Sequence, residues 1–595
     1  MADRFLEHYA DELDALRRRA ARFAGAFPKI AGRLRLSPET SDDPHVERMI
    51  QSFAYSAARL RQKLDDGFPE LSEGLLETLY PHFLAPVPAM TIVAMAPDAG
   101  VDELRRVPRG TEIEAEPVRG DACRFRTVQD VTLAPVRIAA ARMMNRPLEA
   151  PPLPGASPLG CLALTLEPTA KARIDALGIE TLRLHLAGPD RLATELFRLL
   201  TQHAVGVAVA DHPGDPAPRR LPAGAVRPVG YRDDEAALPL PAGSFPGYRL
   251  LTEFFAMPDR FLFVDVDLGR PTQADRADVY VYVYLDAAPG ELERRVDASA
   301  FVLGAVPVVN LFPARAEPIL LDGTRPAYPL VADARRPLTR RVHSVTHVTL
   351  ADADGRTAES APYFHRAADP AAGGAFHQIV RHPPEGEDGP GATSLAFVDH
   401  RARRADAPGT TASVEVLATN GDLPRALPFG GGQPRLRLAS PLDGVGTIAC
   451  LRPIAMPPRP DADPDRTWQL VSHLSLNHLS LDGPGAAAGL RALLRLHDPG
   501  DSRETSQYVD AIHDVETRPA IARIAAVMVS GLDVTVTFDP DRIGEGAAHL
   551  FGTVLDRFLG GYVTVNAFTR LTLRMRDRTD RLATFPPRAG EGALA

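Results

Sequence analysis

Residues 28–49 read PKIAGRLRLSPETSDDPHVERM. Asp42, Asp43, His45 and Glu47 crowd into six positions, a density that could serve a metal or acid–base chemistry, or could mark the start of a helix. Pro44 decides the reading. Proline is favoured at the first helical position, where its missing N–H has no partner to lose. Asp43 is then the N-cap that accepts orphan N–H groups, and Glu47 sits near the positive end of the helix dipole. His45 falls in the same first turn and needs no ligand role.

On the N-terminal side of this stretch, Leu6, Tyr9, Leu13, Leu16, Ala20, Phe23 and Phe27 recur at alternating spacings of three and four. That is an a/d heptad seam, and Pro28 ends it. On the C-terminal side the seam resumes with Val46, Ile50, Phe53, Ala57, Leu60 and Leu64, while Glu47, Arg48, Arg59, Arg61 and Lys63 fall off it. A third segment, SEGLLETLY, runs to Pro81 and is expected to place Leu75, Leu76 and Leu79 on one side. Three helices in about 80 residues make a small bundle, closed on itself or completed by other chains. Periodicity alone leaves both readings open.

From about residue 89 the pattern changes to short strands, among them MTIVAMAP, TEIEAEP, CRFRTVQDVTLAPVRI and TLRLHLAG, punctuated by proline and glycine. PDRLATELFRLLTQHA reads as a helix between two of them. In DVYVYVYLD, Tyr280, Tyr282 and Tyr284 take one face and Val279, Val281, Val283 and Leu285 the other, so the strand is buried on both sides or used at an interface. Residues 364–412 are polar and turn-rich and are expected to be loops. Beyond about 461, GLRALLRLH and HLFGTVLDRFLGGY read as helices. LDVTVTFDP reads as a half-buried strand with Leu532, Val534, Val536 and Phe538 inward. The expected fold is α+β and multidomain: a helical segment over 1–88, β-rich domains over 89–300 and 301–460, and a mixed α/β domain over 461–595.

The totals agree with an ordinary globular protein. At 595 residues, 45% hydrophobic and 24% charged, the chain is long enough for roughly three to five domains. A net charge of -9 argues against a general binder of nucleic acid or anionic membrane. Lysine is confined to Lys29, Lys63 and Lys171, as a GC-rich bacterial genome would produce. Cys123, Cys161 and Cys450 lack metal-ligand spacing and suit a reducing cytoplasm. The first residues alternate charge without an apolar h-region, so no secretory signal is expected, and no apolar run reaches the roughly 20 residues of a membrane span.

Candidate chemistry is thin. His343 and His347 in HSVTH lie among strand formers, where positions four apart are over about 13 Å from each other. His473 and His478 in HLSLNHLSL read as packing histidines. FGGGQ at 429–433 lacks the lysine of a P-loop and reads as a turn. Neither G-x-S-x-G, H-E-x-x-H nor C-x-x-C occurs. A multidomain hydrolase with a site assembled from distant residues is the rival class, and stoichiometric metal at His343, His347 or His473 would favour it.

Three N-terminal stretches, YADELDALRRRAARFAGAFPKIAGRL, DPHVERMIQSFAYSAARLRQKLDDGFPEL and LLETLYPHFLAPVPAM, resemble the signature of TssF, the baseplate wedge family of the bacterial type VI secretion system. The resemblance continues through GYRLLTEFFAMPDRFLFVDVD, PVVNLFPARAEPILLDGTRPAYPLVADARRP, LATNGDLPRALPFGGG, WQLVSHLSLNHLSL and LFGTVLDRFLGGYVTVNAFTRL. It implies a structural protein without enzymatic activity or cofactor. The implied assembly has two TssF copies wrapping one TssG and recruiting TssK and TssE, with wedges around a VgrG spike to nucleate tube and sheath. Its place would be the cytoplasm, under the membrane complex. The resemblance also favours the shared bundle, which makes Leu6, Tyr9, Leu13, Leu16, Phe23, Phe27, Val46, Ile50, Phe53, Leu60, Leu64, Leu75 and Leu79 the expected partner interface. A baseplate protein of another contractile machine is the nearest alternative.

Overall fold

Helix α1, Ala2–Ala26, contains no proline and no β-branched residue, and its alanines, leucines, arginines and glutamates are strong helix formers. Pro28 opens the short α2, Pro28–Arg33, as its first residue. Helix α3, Pro44–Asp65, starts as the acidic cluster predicts. The Asp43 carboxylate accepts the His45 backbone N–H at 2.9 Å, and its carbonyl oxygen accepts the Glu47 N–H at 3.0 Å. The cluster is therefore a helix cap.

This computed structural model describes residues 2–35, 43–65, 73–77, 80–169, 174–240, 244–270, 278–363, 375–382, 392–399, 401, 403–456, 470, 485–498, 503–524, 527–561, 563 and 567–590. The chain divides into two units, one formed by Met1–Glu77 with Asp461–Ser475 and the other by Thr78–Pro460 with Leu476–Ala595.

The larger unit is built on antiparallel sheets. Six strands close a barrel in the order Met90–Pro97, Ala305–Val309, Arg124–Thr127, Glu112–Ala115, Leu436–Leu438 and Val445–Cys450. Val93, Met95, Ile113, Phe125, Val306 and Val308 belong to its core. A five-stranded sheet has Val279–Leu285 at its centre, paired on one side with Gly160–Pro168 and on the other with Ala204–Ala210. Val281, Tyr282, Val283, Tyr284 and Leu285 are all buried, as a strand without a polar face requires. A second sheet aligns Val226–Pro228, Phe263–Asp267, Thr181–Leu186 and Phe301–Val302. Further along, Arg341–Ala351 and Thr411–Thr419 anchor a sheet that shares one core with the strands around Ala392–Val398.

At the C-terminus, Val527–Phe538 pairs antiparallel with Ile512–Ile524 and parallel with Ala567–Met575. The parallel pair needs a crossover, and helix Glu545–Gly561 lies between its strands in sequence. That helix packs on Asp190–Gln202 and Pro246–Ala256, with the Phe254 and Phe551 rings stacked 5.2 Å apart.

Three expectations need correction. Leu76 is fully buried but Leu75 is exposed, because neighbours on a helix point about 100° apart and cannot share a face. Residues 376–382 and 392–398 are paired strands where loops were expected; Leu395 and Phe397 supply the burial, while the flanking glycines and prolines hid the short runs. Leu532 is exposed, whereas Val534, Val536 and Phe538 point inward as read. In FGGGQ, Gly430, Gly431 and Gly432 all have positive φ, and Gly430 and Gln433 exchange backbone hydrogen bonds, so the glycines serve a tight turn.

Candidate partner interface

In the smaller unit α1 and α3 pack on one another. Arg17 pairs with Glu47 at 2.7 Å and Arg61 with Glu12 at 3.4 Å, while the Phe5 ring meets Tyr55 edge-on at 5.3 Å. Glu47 thus does more than face a helix dipole: it ties the two helices together.

The packing does not close over the heptad seam. Tyr9, Leu13, Leu16, Val46 and Ile50 are half-buried, and Leu6, Phe23, Phe27, Phe53, Leu60 and Leu75 are exposed. Leu79 lies outside the described residues, and Leu64 is described only by its place in α3. What is fully enclosed on α3 is the small pair Ala54 and Ala58, one turn apart. Periodicity also passed over Ile30 and Leu34, spaced by four from α2 onward, and Met49 and Tyr55 on α3, all exposed. Part of their signal was available: Ile30 and Leu34 continue the spacing of three and four past Phe27, and Met49 is a large apolar residue next to Ile50. Among the described residues, ten of the nineteen large apolar side chains that stand exposed lie between Leu6 and Leu75. Scattered exposed leucines are ordinary, whereas these large apolar side chains stand exposed together on one segment.

The larger unit holds a buried ionic network. Arg249 and Glu253 are fully buried and Arg260 nearly so. Glu253 receives Arg249 at 3.4 Å, a close contact from Arg260, and the backbone N–H groups of Ala237 and Leu238 at 3.0 and 2.9 Å. Arg249 reaches on to Asp233 at 2.9 Å. Burial lowers the Arg260 guanidinium from its ordinary value while Glu253 opposes the shift. The network is enclosed around Glu253, reaches solvent at Asp233, and fixes how helix Pro246–Ala256 seats on the following turn.

His343 is buried on its strand, and His347 pairs with Glu359 at 3.2 Å; His473 and His478 lie outside the described residues. Burial pushes the Cys123 thiol up to about 12, which makes it a poor nucleophile. Among the described residues no group of three or more His, Cys, Asp or Glu could hold a metal ion. Nor, among them, is any helix long and apolar enough to cross a membrane.

Comparison with known proteins converges on one family. The family described as "Type VI secretion system, TssF" matches residues 1–592. Type VI secretion system component TssF1 of Pseudomonas aeruginosa is 35% identical, over 97% of this chain and 97% of its own. In the cryo-electron-microscopy structure of a type VI TssK–TssF–TssG baseplate subcomplex, one chain superposes with a TM-score of 0.73 at 27% identity, covering 92% of this chain and 99% of that one. A chain of a type VI baseplate complex matches at 24% identity with a TM-score of 0.57, over 98% of this chain and 100% of its own, a likeness of fold.

Proposed function

This chain belongs to the TssF family of the type VI secretion system, and from that membership we propose that it is a structural subunit of the secretion baseplate wedge, held to its partners by the open seam of α1 and α3. The observation that carries the proposal is the exposure of Phe53, Leu60, Phe23 and Phe27 on helices that already pack together. A private bundle would enclose those side chains. Helices from a TssG-type partner and a second copy of this chain would cover them, at roughly 1.5–3 kcal/mol per large side chain fully buried.

The relative of this chain in the TssK–TssF–TssG subcomplex supports TssG and TssK as partners. TssE, the VgrG spike and neighbouring wedges extend the same reading, with the β-rich unit as a rigid arm that meets them and moves as a body when the machine fires. The role needs no cofactor and no catalytic step. Such a wedge works in the cytoplasm, at the inner-membrane face once assembled.

Co-purification tests the proposal. Phe53→Asp combined with Leu60→Asp should abolish recovery of TssG with this chain; undiminished recovery of a monodisperse complex would refute the seam.

A further inference from the structure

The barrel is interrupted in sequence. Its strands Ala305–Val309 and Leu436–Leu438 are consecutive in chain order, and every strand described between them pairs only within the intervening segment. That segment has its own core, in which Phe312, Val348, Leu395, Phe397 and Val416 are buried together. An inserted domain with a private core can swing on its connections unless something fixes it there.

The two connections are tied to each other. Asn310 follows the outgoing barrel strand, Asn420 follows the returning strand Thr411–Thr419, and both are completely buried. Asn310 Nδ2 donates to Asn420 Oδ1 at 2.7 Å, and the Asn420 backbone N–H donates to Asn310 Oδ1 at 2.8 Å. Asn310 Nδ2 also donates to the Arg124 carbonyl oxygen at 2.6 Å, and the Arg124 N–H donates to Asn420 Oδ1 at 2.8 Å. Asn420 Nδ2 reaches the carbonyl oxygens of Ala122 at 3.3 Å and Thr339 at 3.2 Å. Arg124 opens a barrel strand and Thr339 belongs to the insert, so one amide pair joins both connections, the barrel and the insert.

A second tie lies beside it. Asp121, just ahead of the barrel strand Arg124–Thr127, accepts Arg336 at 2.8 Å, Arg340 at 3.0 Å and Thr339 Oγ1 at 2.7 Å, all three from the insert. Arg340 and Arg124 lie over the ring of Phe312, at 5.2 and 5.8 Å, and Leu311 is buried in one cluster with Met90 and Val309 of the barrel.

We propose that Asn310 and Asn420 form a latch that locks the inserted domain to the barrel, so that the two turn as one body. A buried amide pair whose side-chain nitrogens and oxygens all have partners favours one arrangement, because a swing would strand those atoms away from water. The pair positions the insert, whose stability comes from its own core. The latch stands whether or not the chain serves in a wedge, and it supplies the rigidity that an arm would need there.

Electron–electron double resonance tests it, with spin labels at Ser413→Cys on the insert and Thr447→Cys on the barrel, two exposed strand positions. The chain without these substitutions gives the background from its native cysteines. The labelled parent should show one narrow distance distribution. Asn310→Ala with Asn420→Ala should widen it about twofold, while amide exchange within Arg341–Ala351 and Thr411–Thr419 stays as slow as in the parent. Asn310→Ser, too short to reach Asn420, should widen the distribution less, and decides the matter if the double variant does not fold. A broad distribution in the parent, or an unchanged width in a folded variant, would overturn the latch. Faster exchange along both insert strands would overturn it too, since the pair would then hold the insert together and not in place. A loose joint would leave recovery of TssG through the helical seam unchanged, so the two proposals fail separately.

Discussion

Phe53 and Ala54 are adjacent on α3, yet Phe53 is 65% exposed and Ala54 is completely enclosed. The helix spends its small residues on its own neighbours and turns its large ones outward. Leu60, 66% exposed, and Met49, 70% exposed, extend the outward set. An apolar stripe of this width costs solubility unless something covers it.

The two faces should respond oppositely to substitution. Phe53→Asp with Leu60→Asp should leave the thermal midpoint of the isolated chain within about 2 °C, since surface changes stay near ±0.5 kcal/mol. Ala54→Leu should destabilise α3 by about 1–3 kcal/mol through overpacking. Circular-dichroism melts of the two variants would decide it, and the reverse ranking would contradict the exposure pattern.

Glu253 neutralises two buried arginines. Glu253→Gln removes the charge while keeping the shape, and should cost about 3–5 kcal/mol, the range for breaking a buried ionic group on one side. Denaturant unfolding would measure the loss; a cost under about 1 kcal/mol would mean that the network contributes little.

Acid should unfold the β-rich unit through its histidines. Burial lowers His185 and His377 to about 4 and His549 to about 3. Thr201 Oγ1 lies 3.0 Å from His549 Nε2 and donates its own proton to the Phe197 carbonyl oxygen, so Nε2 carries the hydrogen, and buried Nδ1 has no hydrogen-bond partner among the described residues. Because the folded values lie below the unfolded one of about 6.5, the fold favours neutral imidazole. Stability from this source is complete above pH 6.5 and declines as pH falls towards 4, by about 1.4 kcal/mol per pH unit for each histidine. His549→Gln should flatten the decline between pH 6 and 4; an unchanged slope in urea melts across that range would exclude His549 as a contributor.

Gly546 and Gly489 make a matched pair. A Cβ at Gly546 would lie 2.5 Å from the backbone carbon of Thr194, and backbone cannot yield, so Gly546→Ala should cost 1 kcal/mol or more, within the roughly 1–3 kcal/mol of overpacking. A Cβ at Gly489, inside helix Ala486–His497, meets nothing within 4 Å. Gly489→Ala should therefore stabilise by about 0.5–1 kcal/mol. Differential scanning calorimetry would separate the two signs.

What could be read from residue order was whatever is local. Asp43 and Pro44 announced a helix start, the tyrosine–valine alternation announced a strand buried on both faces or used at an interface, and the seams announced helices. The barrel was not readable, because strands as short as Glu112–Ala115 and Leu436–Leu438 choose partners hundreds of residues away, and pairing energy resides in cross-strand contacts that no window contains. Nor could periodicity tell which apolar stripe of α3 would be left open. Val46, Ile50 and Phe53 share one seam, but packing half-covers the first two and leaves Phe53 exposed. The Arg249–Glu253 pair has the spacing of an ordinary surface pair and gave no hint of full burial.

The central claim is that other chains cover the N-terminal helices. Its most direct test is native mass spectrometry of this chain co-expressed with a TssG protein, beside the Phe53→Asp, Leu60→Asp variant. The account predicts a complex of two copies of this chain with one TssG, and its loss in the variant while the free chain remains folded. A lone chain that stays monomeric beside TssG, or a variant that assembles as the parent does, would contradict it.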